Sequence, residues 1–324
     1  MLFLDSHDLA KALSIDRVLN GVEDALRLYE EGTFVMPDRM AVACGDNNQL
    51  LLMPCVAADS ISTKLVTVFP ENRARNLPVI NGVVVLSDRS TGEIRALMDG
   101  KPITSARTAA VTALSIRHLS KPDAHSLGLV GCGVQGYYQV LYACAVRDIR
   151  RIILFDISSQ AIDRLTEQLR GSLPGVAIEA AESTAALAAQ SDIVITATTA
   201  RKPVFPDDPK LFEGRHLVAI GSFEPDVREY PDAVFSVVRK VWVDTHSARE
   251  EAGELIVPLR EGHLKEDQLE TLGHFILSGR ASVRGPYGTT FFKSVGMALF
   301  DLVTARLAYS SAVEQGLGTE WPIG

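Results

Sequence analysis

The stretch Ser126-Leu-Gly-Leu-Val-Gly-Cys-Gly-Val-Gln-Gly-Tyr-Tyr-Gln139 decides how the rest of the chain is read. Residues 127–130 form an apolar run of the length of a short buried strand. Gly131, Gly133 and Gly136 follow as G-x-G-x-x-G, and residues 137–146 continue as a largely apolar helix. In such a turn the first glycine lets the chain leave the strand sharply. The second lets backbone approach a pyrophosphate, and the third lets helix and strand pack closely. The helix N-terminus adds free N–H groups and partial positive charge where phosphates would lie. A lone glycine pattern is weak, so its context matters. Residues 150–155 read as a second strand, and Asp156 ends it near the separation expected for an acid that binds the adenosine ribose.

Outward from this unit, strand and helix patterns alternate. Strands are expected at 127–130, 152–156, 176–180, 193–198, 216–221 and 241–244, and helices at 135–146, 159–170 and 184–189. Helical patterns recur at 248–257 and 266–278. Alternation of this kind implies a parallel sheet covered on both faces. The first third differs. A helix after Ser14, stopped at Gly32, precedes β-type runs at 40–44, 50–54, 62–69, 79–86 and 93–98 with polar turns between them, and a helix at 104–119 follows. This is an antiparallel α+β pattern. Residues 295–315 look like a long helix that crosses back onto it. The expected fold is α/β, a Rossmann-type doubly wound parallel sheet plus a split α+β domain. Its expected boundaries are 1–120 with 296–324 for the split domain and 121–295 for the dinucleotide-binding domain.

Composition narrows the function. The 324 residues suffice for two domains, and a net charge of −8 argues against nucleic acid or anionic membrane as the main partner. No 18-residue apolar run occurs, and Asp5 and Asp8 interrupt the place where a signal peptide has its apolar core. Cys44, Cys55, Cys132 and Cys144 make no C-x-x-C pair and read as reduced thiols of a cytoplasmic protein. The seven histidines show no metal-ligand spacing, so no metal is expected. G-x-S-x-G is absent, which leaves a nucleophilic-serine hydrolase without support.

Three basic residues stand where solvated ones are not expected. Arg39 follows Met36-Pro37-Asp38 at the entrance to a strand, and Lys64 lies inside a core-like β run. Arg107 begins an otherwise small and apolar helical stretch. A guanidinium beside a helix N-terminus can grip a carboxylate bidentately. Each could equally sit in an ion pair, with Glu71 and Asp88 as available partners, or extend its stem along a strand edge. In the run Gly221-Ser-Phe-Glu-Pro-Asp-Val-Arg-Glu229, Glu224 and Asp226 follow a strand end, where loops of an open α/β sheet line the ligand crevice. Thr198-Thr199-Ala200 occupies the same kind of position after another strand.

With these residues in view, the chain resembles the ornithine cyclodeaminase/μ-crystallin family. The matching pieces are Met36-Pro37-Asp38-Arg39, Lys64 with Pro70-Glu71-Asn72, Met98-Asp99-Gly100 leading to 104–110, Gly131 to Gln135, Gly221 to Glu229, and Phe292-Lys-Ser-Val-Gly296. They occur in the family's order across nearly the whole chain. The resemblance implies a homodimer, a split substrate and dimerisation domain, and a cofactor that is NAD(H) or NADP(H). The implied cofactor contacts are Thr108, Gly131, Gly133, Val134, Gln135, Asp156, Ile157, Ser158, Thr196, Thr198, Gly221, Val295 and Gly296. Arg39, Lys64, Arg107 and Phe223 would meet substrate, with Lys64, Arg107 and Asp226 as the catalytic set.

One departure sets the branch. Cyclodeaminases and the related alanine dehydrogenases carry an aspartate at the position of Phe223, and a phenyl ring cannot take a proton. Reduction of a preformed iminium needs mainly carboxylate binding and a placed hydride. The chain therefore reads as an NAD(P)H-dependent reductase of small cyclic imino acids of the Δ1-pyrroline-2-carboxylate or Δ1-piperideine-2-carboxylate type. The alternatives are an alanine dehydrogenase or cyclodeaminase that uses Glu224 or Asp226, and a non-catalytic NADPH or small-ligand binder of the μ-crystallin kind. Between cofactors the residues favour NADH. Asp156 would repel a 2′-phosphate, and Ile157 to Gln160 supply no cation to offset it.

Overall fold

The computed structural model describes residues 1–75, 77–222, 224–280 and 288–322. Phe223, one of the expected substrate contacts, lies outside them. The chain packs as two units, Met1–Arg107 with Met297–Gly324, and Thr108–Gly296. The first break falls inside the helix Gly100–Leu119, between Arg107 and Thr108, whereas the sequence pattern alone places it at the end of that helix.

In the first unit, strands run in the spatial order Thr319–Glu320, Leu2–Leu4, Ile94–Asp99, Ile80–Asp88, Ser60–Val68, Gln49–Ala57 and Phe34–Val35, with Met40–Ala43 also on Gln49–Ala57. All pairs are antiparallel except Leu2–Leu4 with Ile94–Asp99, which run parallel and so depart from the expected all-antiparallel unit. Period-2 alternation gives the sheet one face of Leu4, Met98, Val84, Lys64 and Met53, aligned across five strands. The helices Ser6–Ala12 and Ala298–Gln315 cover that face, and Ile15–Glu31 packs on Ala298–Gln315. A Cβ on Gly21 would meet Leu307 Cδ1 at 2.4 Å, so these two helices approach closely because Gly21 has no side chain. Asp5 caps the first helix, in a capping box with Asp8.

The second unit is an eight-stranded sheet in the order Ala177–Ala180, Arg151–Phe155, Ser126–Val130, Ile193–Thr196, His216–Ala219, Thr289–Lys293, Val238–Val243 and Leu269–Thr271. Every pairing is parallel. Successive strands wind outward from Ser126–Val130 in one direction; in the other, Ile193–Thr196 is followed by His216–Ala219, and the late strand Thr289–Lys293 is inserted before Val238–Val243 and Leu269–Thr271. The order therefore reverses between Ser126–Val130 and Ile193–Thr196, the switch point at which such sheets open a crevice.

Two helical expectations give way to tertiary packing here. Residues 266–278 contain the strand Leu269–Thr271, which pairs with Val241 to Val243 at the sheet edge. Residues 248–257 break at Ala252 into Ala248–Glu251 and Gly253–Glu261. Gly253 donates its N–H to Glu224 O, and a Cβ there would meet Pro225 O at 2.5 Å. Contact with that loop fixes the break.

Candidate functional site

At the switch point the strand Ser126–Val130 turns into the helix Val134–Val146 through the glycine run. Gly131 adopts φ +102°, and a Cβ there would meet Ala197 O at 2.5 Å, so only glycine fits. A Cβ on Gly136 would meet Gly131 O at 2.6 Å. At Gly133, in contrast, a Cβ would find nothing within 4 Å. Gly133 is the N-cap residue, and no side chain caps the helix there. The glycines are thus split between packing and open space, with free helix N–H groups at the opening, which fits a pyrophosphate.

Asp156 stands at the end of the neighbouring strand. Its Oδ2 accepts from Cys132 N at 2.8 Å and its Oδ1 from Ser158 N at 2.9 Å. The carboxylate therefore joins the glycine turn to the start of the helix Ser159–Ser172 and keeps lone pairs for ribose hydroxyls. Ile157 beside it is 98% exposed.

On the other side of the switch point, Thr198 and Gly221 follow the strands Ile193–Thr196 and His216–Ala219. Glu229, fully buried, accepts from Thr198 N, Thr198 Oγ1, Thr196 Oγ1 and Gly221 N, each at 2.8 Å. Thr196 is thus a support behind the crevice rather than part of its wall. The amides of Val295 and Gly296 are likewise taken by buried Asp244, at 3.1 and 2.7 Å to its Oδ2. Asp226 and Glu224 are exposed on the loop, and Glu224 pairs with Arg201. Thr108 is buried on the Gly100–Leu119 helix. Val134 and Gln135 open the helix after Gly133.

In the first unit, Lys64 sits in the middle of the covered sheet face, in an otherwise apolar row. Asp301, from the helix above, answers it. Lys64 Nζ lies 2.6 Å from Asp301 Oδ2, and Arg107 Nε donates to Asp301 Oδ1 at 3.1 Å. Lys64 and Asp301 are 3% and 1% exposed. Burial is the largest influence on Lys64 and lowers it to about 8; Asp301 opposes that shift, and Arg107 and Arg39 add to it. Burial alone would raise the Asp301 carboxyl, but Lys64 and Arg107 more than offset this and hold it below its ordinary value. At neutral pH Lys64 and Arg107 set two buried positive charges against the one buried carboxylate of Asp301. A surplus of buried positive charge is the electrostatic signature of an anion site. Arg39, Lys64 and Arg107, scattered in sequence, are thereby brought within electrostatic reach of one another.

A model of the ornithine cyclodeaminase/mu-crystallin family matches residues 1–316. The chain belongs to that family. A Δ1-pyrroline-2-carboxylate reductase of Bacillus cereus is 32% identical to it over 323 residues, covering 98% of each chain. Among solved structures, Δ1-pyrroline-2-carboxylate reductase of Thermococcus litoralis in complex with NADH and L-proline superposes with a TM-score of 0.92. It shows 32% identity and covers 99% of this chain and 100% of that one. An archaeal alanine dehydrogenase dimer with bound NAD gives a TM-score of 0.91 and 25% identity, covering 100% of this chain and 99% of that one.

Within this cyclodeaminase/crystallin family member, sequence reasoning missed the carboxylates. Asp301 is the partner of Lys64 and Arg107, whereas Asp88 serves its own turn through Ser90, Thr91 and Arg95, and Glu71 is exposed. The available signal was one acid in the apolar run Ala298-Leu-Phe-Asp-Leu-Val303. Glu229, Asp244 and Lys293 were hidden by their short loops and strand ends. Of the histidines, His216 is buried between Ser115 Oγ and Thr290 Oγ1, a structural link. Among the described residues, Asp232, Glu261 and His263 form one loose cluster of ligand-type atoms, but Arg228 already holds Asp232.

Proposed function

We propose that the protein is an NADH-dependent reductase of small cyclic imino acids, which converts a Δ1-pyrroline-2-carboxylate or Δ1-piperideine-2-carboxylate type imine to the cyclic amino acid. The observation that carries this reading is the buried Lys64–Asp301–Arg107 cluster with its surplus positive charge. It suits a substrate whose carboxylate must be gripped and whose imine nitrogen must carry a proton. Arg107, oriented through its Nε by Asp301, binds the carboxylate together with Arg39. Lys64, protonated below about pH 8, keeps the imine nitrogen protonated, so no second acid is required. Asp226, which the sequence reading placed in the catalytic set, has no step in this scheme. NADH, when bound, supplies the hydride that adds to the C=N carbon, and the two electrons of the C–H bond leave it as NAD⁺. Gly131, Gly133, Asp156, Ser158 and Thr198 hold that cofactor, and NADP(H) remains the weaker option because of Asp156.

Support for a homodimer comes from the uncovered face of the first sheet, opposite Lys64. Phe3, Val35, Met40, Val42 and Leu65 all lie on it and are exposed. The archaeal alanine dehydrogenase with the same fold is itself a dimer. Among the described residues no helix is long and apolar enough to cross a membrane, and all four cysteines are free, as expected in the cytoplasm.

NADH oxidation measured with the five- and six-membered cyclic imines tests the reading. Turnover of either imine supports it. Ornithine cyclisation without net NADH consumption, or NADH binding with no turnover of any imine, amino acid or 2-oxo acid, overturns it.

A further inference from the structure

Four donors converge on a single carboxylate beneath the second half of the crevice. Thr198 N and Thr198 Oγ1 reach Glu229 Oε1, while Thr196 Oγ1 and Gly221 N reach Oε2, all at 2.8 Å. No donor is idle, and the space is full. A Cβ on Gly221 would meet Glu229 Oε1 at 2.5 Å and Thr198 O at 2.2 Å. The backbone beneath Glu229 is equally constrained. Glu254 accepts from Glu229 N at 2.8 Å and from Tyr230 N at 3.0 Å. The Tyr230 ring lies among Phe205, Phe212 and Phe291. Buried Lys293 adds a nearby positive charge and donates to Ser222 O.

The consequence is geometric. Thr196 ends one central strand and Thr198 follows it, and Gly221 follows its parallel neighbour. A dinucleotide laid across a doubly wound sheet places its adenosine over the half that carries the ribose-binding acid. Its second nucleotide lies over the other half. Asp156 marks the adenosine half, so the strand ends clamped by Glu229 are those under the nicotinamide. We infer that Glu229 is a positioning residue, which holds Thr198 and Gly221 in the arrangement that aims the nicotinamide at the substrate. It touches neither cofactor nor substrate. This inference rests on the NADH-dependent reading above.

Glutamine in place of Glu229 is a stringent probe. Whichever way the amide is turned, its NH₂ meets a backbone N–H, from Thr198 or from Gly221, and neither backbone group can reverse its role. The clamp should open locally, under the nicotinamide only. Glu229→Gln is therefore expected to bind ADP-ribose within about threefold of wild type, to bind NADH at least about tenfold more weakly, and to lose kcat. Its primary isotope effect on kcat with 4-deuterated NADH should rise as hydride transfer becomes limiting. Thr196→Val, isosteric and lacking one donor, should show the same split more mildly, and it decides the matter if the glutamine variant does not fold. Parallel weakening of ADP-ribose and NADH, or unchanged values for both, would overturn the inference. Failure of the wild-type protein to bind NADH would instead overturn the cofactor reading on which it rests.

Discussion

Lys64 Nζ and Asp301 Oδ2 lie 2.6 Å apart although 237 positions separate them in the chain. Asp301 also takes Arg107 Nε, so one carboxylate fixes two cations from a strand and a helix. Removing it would leave two buried positive charges without a counterion. Asp301→Asn should lower folding stability by about 3–5 kcal/mol, the cost typical of breaking a buried pair from one side. Chemical denaturation measures this, and a loss under about 1 kcal/mol would show that the cluster is hydrated instead.

Lys64 links activity to pH. Burial lowers it to about 8, so the charged form that protonates the imine is complete well below that pH and disappears above it. The expected kcat/KM falls with a one-proton slope as pH rises through about 8. Lys64→Arg keeps the charge but cannot release its proton, so it should lose most of kcat/KM and with it the limb near 8. Ionisation of the substrate is common to both enzymes, so the difference between their profiles isolates Lys64. Coincident profiles would remove Lys64 from the proton transfer. For stability the sign is opposite. The unfolded chain holds the lysine proton to higher pH than the folded one, so this residue's contribution rises with pH from about 8 toward the ordinary lysine value.

Arg107→Lys keeps the charge and loses the planar fork. With the carboxylate buried, the expected loss in transition-state binding is on the order of 2–4 kcal/mol, seen chiefly as a raised KM for the imine. Unchanged kinetics in a folded variant would place the carboxylate elsewhere.

Asp156 should give NADH at least a tenfold advantage in kcat/KM over NADPH, or about 1.4 kcal/mol. Replacing Asp156 by Ser and Ile157 by Arg should move the preference toward NADPH, since position 157 is open to solvent and accepts a long side chain. The same change also removes the acceptor for Cys132 N and Ser158 N, so both cofactors should bind somewhat less tightly. A wild-type preference for NADPH would contradict this assignment.

If the open sheet face joins two chains, Leu65→Asp and Val42→Asp place unpaired charge in an apolar interface. Light scattering should then report a dimer for wild type and a monomer for the variants. A monomeric wild type would exclude this surface.

How much of this was legible in the residues varies with the range of the interactions. The glycine run, the alternation after residue 122 and the acid at 156 are local patterns, written by turn geometry and by the period of each element. They determined the parallel sheet, the cofactor turn and the switch point's first half. Arg39, Lys64 and Arg107 stood out because charge is costly inside apolar runs. The compensating groups were not visible. Asp301 reaches Lys64 only because the C-terminal helix Ala298–Gln315 returns over the first sheet, and Glu229 meets Thr196, Thr198 and Gly221 only because two strand ends become neighbours. The strand Leu269–Thr271 reads as helix in isolation and becomes a strand by pairing with an exposed sheet edge. Sequence by itself therefore determined the glycine turn, the alternating elements around it and the unusual charges of Arg39, Lys64 and Arg107. The tertiary structure alone decided which carboxylate answers each charge, because burial of an ion is tolerated only where folding delivers its partner.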